Sequence, residues 1–247
     1  MNILNEFMLL KKLIYSIMRI FLKILLIFFR GSFKIKAHYY IYYFNDYRDN
    51  ELFNINKFLI KKGNAIDIGC NRGLYSYALS KEKKIKDIFC FEPNKSILKD
   101  LYEYNAQNIK IFNFALSDVS KSQSLIIPYF KNFELDGFAT LNRKIYYNKK
   151  FRKFRKIKIK TKKLDSFNFK NISFIKIDVE GHEINLLNGS KATFKLNKPD
   201  CLIEVKKGNL PKVKKFFESI DSKYYCVPKK KFAFKFSREN YFFSRKQ

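Results

Sequence analysis

Two short, mostly apolar runs, each with acidic residues and glycine near its C-terminal end, constrain the fold of this chain most strongly. Residues 65–68 contain Asp67 and lead into a glycine turn at 69–73, and residues 174–177 lead into an acidic turn that begins at Asp178. Short β-branched runs of this kind are typical of parallel strands that are buried on both faces. Parallel sheets bind ligands beyond the carboxyl ends of their strands, so acids at those ends line a ligand crevice. The sequence therefore predicts an α/β fold with a nucleotide-like cofactor site.

The turn after the first run argues against a dinucleotide site. Pyrophosphate binding requires a G-x-G-x-x-G turn, whereas this turn offers only Gly69 and Gly73. Asp67 stands just before it, and a carboxylate there repels a pyrophosphate but attracts an ammonium or sulfonium group. S-adenosylmethionine carries such groups and is the predicted cofactor. Asn71 is expected to stabilise the turn through side-chain to backbone hydrogen bonds.

A second predicted strand supplies a further cofactor residue. Residues 87–91 end at Glu92, about twenty residues after Gly73, the distance at which a carboxylate meets ribose hydroxyls. Asp118 is a candidate acceptor for the adenine amino group. Alternatively, Asp118 forms a turn before Val119.

Several motifs recur in a fixed order along the chain. They are D-I-G-C-N-R-G at 67–73, F-E-P at 91–93, A-L-S-D at 115–118, K-T-K-K-L-D at 160–165, F-I-K-I-D-V-E-G-H-E at 174–183 and L-I-E-V at 202–205. In this order they resemble the FkbM family of S-adenosylmethionine-dependent methyltransferases, over roughly residues 60–206. The resemblance implies a class I, Rossmann-like methyltransferase fold, in which a doubly wound, mostly parallel sheet has an antiparallel strand near its C-terminal end. It also implies methylation of a hydroxyl oxygen, commonly on a sugar or a natural product.

Methyl transfer to a hydroxyl is an in-line displacement in which the oxygen loses its proton, so a general base contributes to the rate. Asp178 and Glu180 follow the strand next to the cofactor-binding one and are candidates for the base or an acceptor-positioning group. His182 is the alternative base, because a neutral imidazole accepts protons. Equally, His182 is a surface residue at the start of a helix.

Glu204 ends a fifth predicted strand and faces the same crevice. There it either orients acceptor hydroxyls or pairs with Lys206 or Lys176. The spacing of Asp178, Glu180 and Glu204 is not diagnostic of a divalent cation, and no metal is predicted.

The composition is strongly basic, with 51 Lys and Arg against 22 Asp and Glu and a formal net charge of +29. This charge indicates either attraction to an anionic surface or A+T-rich codon usage, which also explains the abundant Lys, Asn, Ile, Phe and Tyr. The alternative function is therefore an RNA methyltransferase, or a basic nucleic-acid-binding protein on the same fold. The chain lacks an N-P-P-Y-like strand end and an aromatic-basic recognition motif, which disfavours nucleic acid. The four scattered cysteines are typical of reduced thiols in a cytosolic protein.

The N-terminal segment 8–30 is apolar apart from a few basic residues. On a helical wheel Lys12, Arg19, Lys23 and Arg30 fall within a sector of about forty degrees. No uninterrupted apolar stretch reaches the roughly twenty residues of a bilayer span. We expect a basic amphipathic helix on an anionic membrane, which places the protein in the cytoplasm at the inner face of the cell membrane. The alternatives are a helix packed on the catalytic domain or a second subunit, and an uncleaved signal anchor.

The predicted organisation has three parts: an N-terminal helix at 1–36, a connector at 37–59 and a methyltransferase domain at 60–247. Within the domain, an insertion dense in Lys and Tyr at about 124–161 interrupts the alternation of strands and helices. This insertion is expected to be a lid, an acceptor-binding loop or a solvated basic segment. Strands are predicted at 64–68, 86–91, 110–114, 173–178 and 201–205, with closing strands at 224–227, 232–236 and 241–244, and helices at 74–81, 95–105, 183–189 and 210–219.

Overall fold

A computed structural model describes most of the chain. The described residues are 13–14, 16–18, 20–22, 24, 26, 32–44, 50–144, 151–206, 208–234 and 236–246.

The N-terminal helix predicted over residues 8–30 lies largely outside the described residues, and its basic positions Lys12, Arg19, Lys23 and Arg30 all fall there. The positions described between 13 and 26 are helical, and several of their large apolar side chains face solvent, such as Ile17, which is 56% exposed. Among the described residues, no helix is both long enough and apolar enough to cross a bilayer.

The described residues form eleven strands in two sheets. In chain order they are β1 (Gly63–Ile68), β2 (Ile85–Phe91), β3 (Ile109–Phe112), β4 (Ala115–Leu116), β5 (Ser122–Phe130), β6 (Phe133–Glu134), β7 (Lys153–Lys162), β8 (Ile172–Ile177), β9 (Asp200–Glu204), β10 (Tyr224–Cys226) and β11 (Asn240–Arg245). The central sheet has the order β10-β11-β9-β8-β1-β2-β3, and within it β11 runs antiparallel to both β9 and β10. The remaining pairs are parallel, which confirms the predicted fold class.

Helices cover both faces of this sheet, as a doubly wound fold requires. They are α1 (Ser32–Phe44), α2 (Asn50–Phe53), α3 (Leu74–Ser80), α4 (Lys99–Tyr104), α5 (Glu183–Asn188), α6 (Lys191–Asn197) and α7 (Leu210–Ile220). Side chains alternate along β1, so that Ile66 and Ile68 pack into a core with α5, α6 and α7 while Ala65 packs into a second core with α1 to α4. This alternation decides which face each residue of the strand reaches.

The second sheet arises from the predicted insertion. β5 and β7 pair antiparallel from Ser122 opposite Lys160 to Tyr129 opposite Lys153, and β4 and β6 lie at the two edges. The sequence predicts an interruption of the strand–helix alternation here but no strands, and the structure forms β5, β6 and β7 in this region. The end of β7 alternates lysine with Ile or Thr, a period-2 pattern that places Ile159 in a small core with Ala115, Leu125 and Ile127.

Most predicted elements are confirmed within one or two residues, and the exceptions have local causes. The strand predicted at 232–236 is wrong: Phe232, Phe234 and Phe236 pack around the buried ring of Phe58 instead of joining a ladder. The helix predicted at 95–105 is a 3₁₀ turn followed by α4, and α6 was not predicted.

The connector predicted at 37–59 begins within α1, which is helical to Phe44 and packs Ile35, Ala37 and Ile41 inward. The division of the chain at residues 36 and 59 stays a prediction. The four cysteines are free thiols, and three of them, Cys70, Cys90 and Cys201, are buried.

Candidate active site

A cavity lies at the carboxyl ends of β1, β2 and β8 and is roofed by residues 136–141 of the insertion. Four acids belong to its wall: Glu92, Asp136, Asp178 and Glu180. Of the residues that the structure describes, no lysine or arginine lines it. In a chain this basic, such a wall indicates a ligand that carries positive charge. The lining also includes Ile68, Gly69, Asn71, Phe91, Pro93, Phe114, Ala115, Leu116, Leu125, Gly137, Ala139, Thr140, Leu141, Val179 and His182.

The glycine turn after β1 is held between the ends of its two neighbouring strands. The Gly69 backbone N–H donates to the Phe91 carbonyl at 2.9 Å, and an added Cβ on Gly69 would lie 1.8 Å from the Asp178 carbonyl oxygen. Because the Gly69 φ is also +75°, a side chain is excluded there. Gly73 (φ +84°) starts α3 outside the cavity, where an added Cβ would lie 2.6 Å from Leu101.

Glu92 and Asn71 fix the loop at the cavity wall. The Glu92 carboxylate accepts hydrogen bonds from the backbone N–H of Asn71 at 3.0 Å and of Asn94 at 2.8 Å. Burial raises the pKa of Glu92 to about 7, although these two hydrogen bonds oppose the shift. The Asn71 side chain accepts from the Arg72 N–H at 2.8 Å, which confirms the predicted side-chain to backbone bond.

Asp67 lies behind the turn and does not line the cavity. It is 1% exposed, and its Oδ2 accepts a hydrogen bond from the Ser76 hydroxyl of α3 at 2.6 Å. Burial raises the pKa of Asp67 to about 6. The alternation along β1 explains this position, because Asp67 and Ala65 share the α3 face. The sequence predicts that the carboxylates of Asp67 and Glu92 both line the ligand crevice, but of the two only Glu92 lines this cavity. A role of Asp67 in cofactor binding stays a prediction.

The acids after β8 and β9 meet a lysine. The oxygens of Asp178, Glu180 and Glu204 lie within 4.8 Å of one another. The Lys206 ammonium contacts Glu180 Oε2 at 2.9 Å and Glu204 Oε1 at 2.6 Å, so Glu204 has the lysine pairing that the sequence offered as an alternative. Burial, and then the Asp178 charge, raise the pKa of Glu180 to about 8. Asp178 Oδ2 lies 3.7 Å from the buried Lys176 ammonium.

His182 lines the cavity from the turn before α5, and its Nε2 lies 2.9 Å from the Ser117 hydroxyl. Burial lowers the pKa of His182, so the ring is neutral at neutral pH. Asp118 does not line the cavity, and its oxygens accept from Ser117 Oγ at 3.0 Å and Asn185 Nδ2 at 3.1 Å. A contact of Asp118 with adenine stays a prediction.

The sequence reasoning missed the residues that the insertion brings to the site. Asp136 accepts a hydrogen bond from Asn94 Nδ2 at 3.2 Å and lies 3.6 Å from Arg72, and Thr140 Oγ1 donates to the Glu180 carbonyl at 2.6 Å. The one local signal is the turn-forming Asp136-Gly137 pair. Partners about forty residues away cannot be inferred from it.

The donor set fits S-adenosylmethionine better than a nucleotide phosphate. Glu92 would accept hydrogen bonds from ribose hydroxyls, and the acidic wall would favour the sulfonium and ammonium charges. A pyrophosphate at the same place would face four carboxylates.

Comparison with known proteins agrees with this chemistry. The sequence profile of the family described as "Methyltransferase FkbM domain" matches residues 67–235. A methyltransferase FkbM from Methylobacillus flagellatus KT superposes with a TM-score of 0.54 at 14% identity, over 86% of this chain and 53% of that chain. This chain thus spans about half the length of that protein, and the likeness shows the fold. A precorrin-6y C5,15-methyltransferase from Geobacter metallireducens GS-15 gives a TM-score of 0.42 at 13% identity, over 78% and 84% of the two chains. No curated protein sequence matches.

Proposed function

Because this chain belongs to the FkbM family of S-adenosylmethionine-dependent methyltransferases, we propose that it transfers a methyl group to a hydroxyl oxygen of a sugar in surface-glycan biosynthesis. The acid-lined cavity carries the proposal, because it combines a carboxylate placed for a cofactor with proton acceptors at the same strand ends. When bound, the cofactor supplies an electrophilic methyl carbon.

The residues of this chain divide between the cofactor and the acceptor. Glu92 and Asn71 form the part of the wall assigned to the ribose, and Gly69 lets the turn approach the end of β8. Asp178, Glu180 and His182 line the side that follows β8. Carboxylates and a neutral imidazole both accept hydrogen bonds from hydroxyl groups, which is what positioning a sugar requires.

A methyl-transfer assay tests this function directly. Purified protein with labelled methyl donor should label a sugar-containing acceptor among candidate surface glycans, and Glu92→Gln should weaken cofactor binding by about 100-fold in a titration. Asp87→Asn, at the opposite end of β2, is the matched control and should bind like the wild type. Mass spectrometry of glycans from cells with and without the gene identifies the methylated position. If the protein labels non-sugar hydroxyl acceptors but none of the glycans, the sugar assignment is contradicted.

We further infer that the protein binds its acceptor at the membrane surface. Most of the apolar side chains described between 13 and 26 are exposed. Three successive ion pairs connect the start of α1 with the cavity wall: Lys34 lies 3.5 Å from Asp100, Asp100 lies 3.8 Å from Arg72, and Arg72 lies 3.6 Å from Asp136. A preceding helix in an anionic bilayer would hold the cavity close to a lipid-linked acceptor. Flotation with anionic vesicles should recover the protein, and Ile17→Asn should reduce that recovery.

A second candidate function is RNA methylation, which one observation favours. Lys156, Lys158 and Lys160 are exposed on the outer face of β7, a spacing of one lysine every second residue. Such a row suits a phosphate backbone. RNA binding that falls steeply with salt, accompanied by methyl transfer to RNA, would favour this function; binding without transfer would show charge attraction alone.

A further inference from the structure

A buried serine connects the cavity histidine to a carboxylate. Ser117 is 1% exposed, and its Oγ lies 2.9 Å from His182 Nε2 and 3.0 Å from Asp118 Oδ1. The other Asp118 oxygen accepts a hydrogen bond from Asn185 Nδ2 at 3.1 Å. These four side chains come from the segment after β4 and from the turn and helix after β8, so the tertiary fold brings them together.

Proton counting fixes the direction of each bond. A serine hydroxyl has one proton, and an ionised carboxylate can only accept. Burial opposes ionisation of Asp118, but the bonds from Asn185 and Ser117 outweigh it and lower the Asp118 pKa. The Ser117 proton therefore points to Asp118, and the Ser117 oxygen accepts from His182 Nε2–H. The ring is then the Nε2–H tautomer, and Nδ1 keeps its lone pair.

The other candidate bases are less suited to accept a proton. Glu180 is held in an ion pair with the Lys206 ammonium at 2.9 Å. Glu204 also pairs with Lys206, at 2.6 Å. Asp178 lies near the Lys176 ammonium. His182 is neutral, lines the cavity, and no described residue donates a hydrogen bond to its Nδ1.

We propose that His182 Nδ1 is the general base of the methyl transfer and that Ser117 and Asp118 are positioning residues that hold His182 in the Nε2–H tautomer. The proposal rests on the proposed hydroxyl methylation. As the acceptor oxygen bonds to the methyl carbon, the carbon–sulfur bond breaks and its electron pair stays on sulfur. The hydroxyl proton passes to Nδ1, and the resulting imidazolium donates through Nε2–H to Ser117, next to the Asp118 charge. The ring later returns its proton to solvent.

The tautomer can be measured without any activity. The chain has two histidines, so long-range ¹⁵N–¹H correlation spectra contain two imidazole patterns, and His38→Asn assigns the other one. We expect the Nε2–H pattern for His182 in the wild type. Ser117→Ala should give a tautomer mixture, and Ser117→Thr should restore Nε2–H because threonine keeps the hydroxyl. An Nδ1–H pattern for His182 in the wild type would overturn the positioning role. An Nε2–H pattern that stays unchanged in Ser117→Ala would overturn it as well.

Kinetics separate this proposal from the proposed function. His182→Asn should lower kcat by about 10² to 10⁴, and Ser117→Ala by about tenfold, with the KM for the methyl donor unchanged. Ser219→Ala on α7, where the hydroxyl donates to the Phe216 carbonyl at 2.7 Å, is the control for serine removal. If the wild type labels no hydroxyl acceptor, the proposed function fails while the tautomer result stands. If the wild type is active and His182→Asn retains its kcat, the base assignment fails alone.

Discussion

The two ends of the central sheet carry opposite charges although the same strands form both. At the carboxyl ends of β1, β2 and β8, four acids line the cavity, and no described lysine or arginine joins them. At the amino ends of these strands a groove is lined by five lysines, with Asp87 as its one acid among the described residues; the lysines are Lys61, Lys62, Lys83, Lys84 and Lys86. We call the carboxyl ends of these strands the acidic edge and their amino ends the basic edge.

The contrast shows which charges are informative. With 51 basic and 22 acidic residues in the chain, a lysine-lined groove is what composition alone supplies. A cavity wall with four acids and, among the described residues, no lysine or arginine departs from composition, and a cationic ligand fits this departure. The six residues of β1 separate the two edges by about 20 Å, roughly two Debye lengths at 0.1 M salt, so solvent-exposed charges at one edge are largely screened from the other.

The largest expected effect comes from disrupting the acidic edge sterically. Gly69→Ala places a methyl group 1.8 Å from the Asp178 carbonyl oxygen at a φ of +75°, so it should destabilise the protein by about 3 kcal/mol or more. Gly208→Ala is the matched control, because its φ is +91° and, among the described residues other than its chain neighbours, no atom lies within 4 Å of the added Cβ. Urea unfolding measures both. Equal losses would mean that backbone strain, and not the close approach to β8, dominates.

Removing one charge from the acidic edge should affect ligand binding next most strongly. Glu92→Gln loses two or more charge-assisted bonds and should weaken S-adenosylmethionine binding by about 100-fold in a calorimetric titration. Asp87→Asn, in the groove at the other edge, should change the affinity less than about twofold, because the separation exceeds the screening length. An equal loss in both variants would contradict a local role for the acidic edge.

The acidic edge should also make stability depend on pH. Burial raises the pKa of Glu92 to about 7 and of Asp67 to about 6, above the values of about 4 expected for unfolded carboxyls. The folded state then binds more protons, so the free energy of unfolding should fall as the pH rises from about 4.5 to 7. Glu92→Gln should flatten this fall in cofactor-free protein. Parallel wild-type and variant curves over this window would show that Glu92 does not carry the effect.

The smallest expected effect lies at the basic edge. Lys83→Glu and Lys86→Glu reverse exposed charges in the groove and should each change stability by less than about 1 kcal/mol. The affinity for S-adenosylmethionine should stay within about twofold at 0.15 M salt, measured in the same titration. A fivefold or larger gain in affinity would mean that the net charge of the chain reaches the cavity.

The sequence predicted which residues reach the cavity where a residue lies close to the end of its strand. Gly69, Asn71 and Glu92 lie at the cavity wall because each is within three residues of a strand end that the sheet fixes. It predicted poorly where the direction of a side chain matters. Asp67 precedes the same turn, but the alternation along β1 turns it toward Ser76.

The sequence by itself determined the alternation of strands and helices, the acidic residues at the ends of β1, β2 and β8, and the family, because each of these depends on short-range periodicity and motif order. The tertiary structure alone decided which side chains meet. His182 reaches Ser117 across 65 positions, and Asn94 reaches Asp136 across 42. No local pattern encodes such contacts, because they depend on how crossover connections and the second sheet pack against the strand ends.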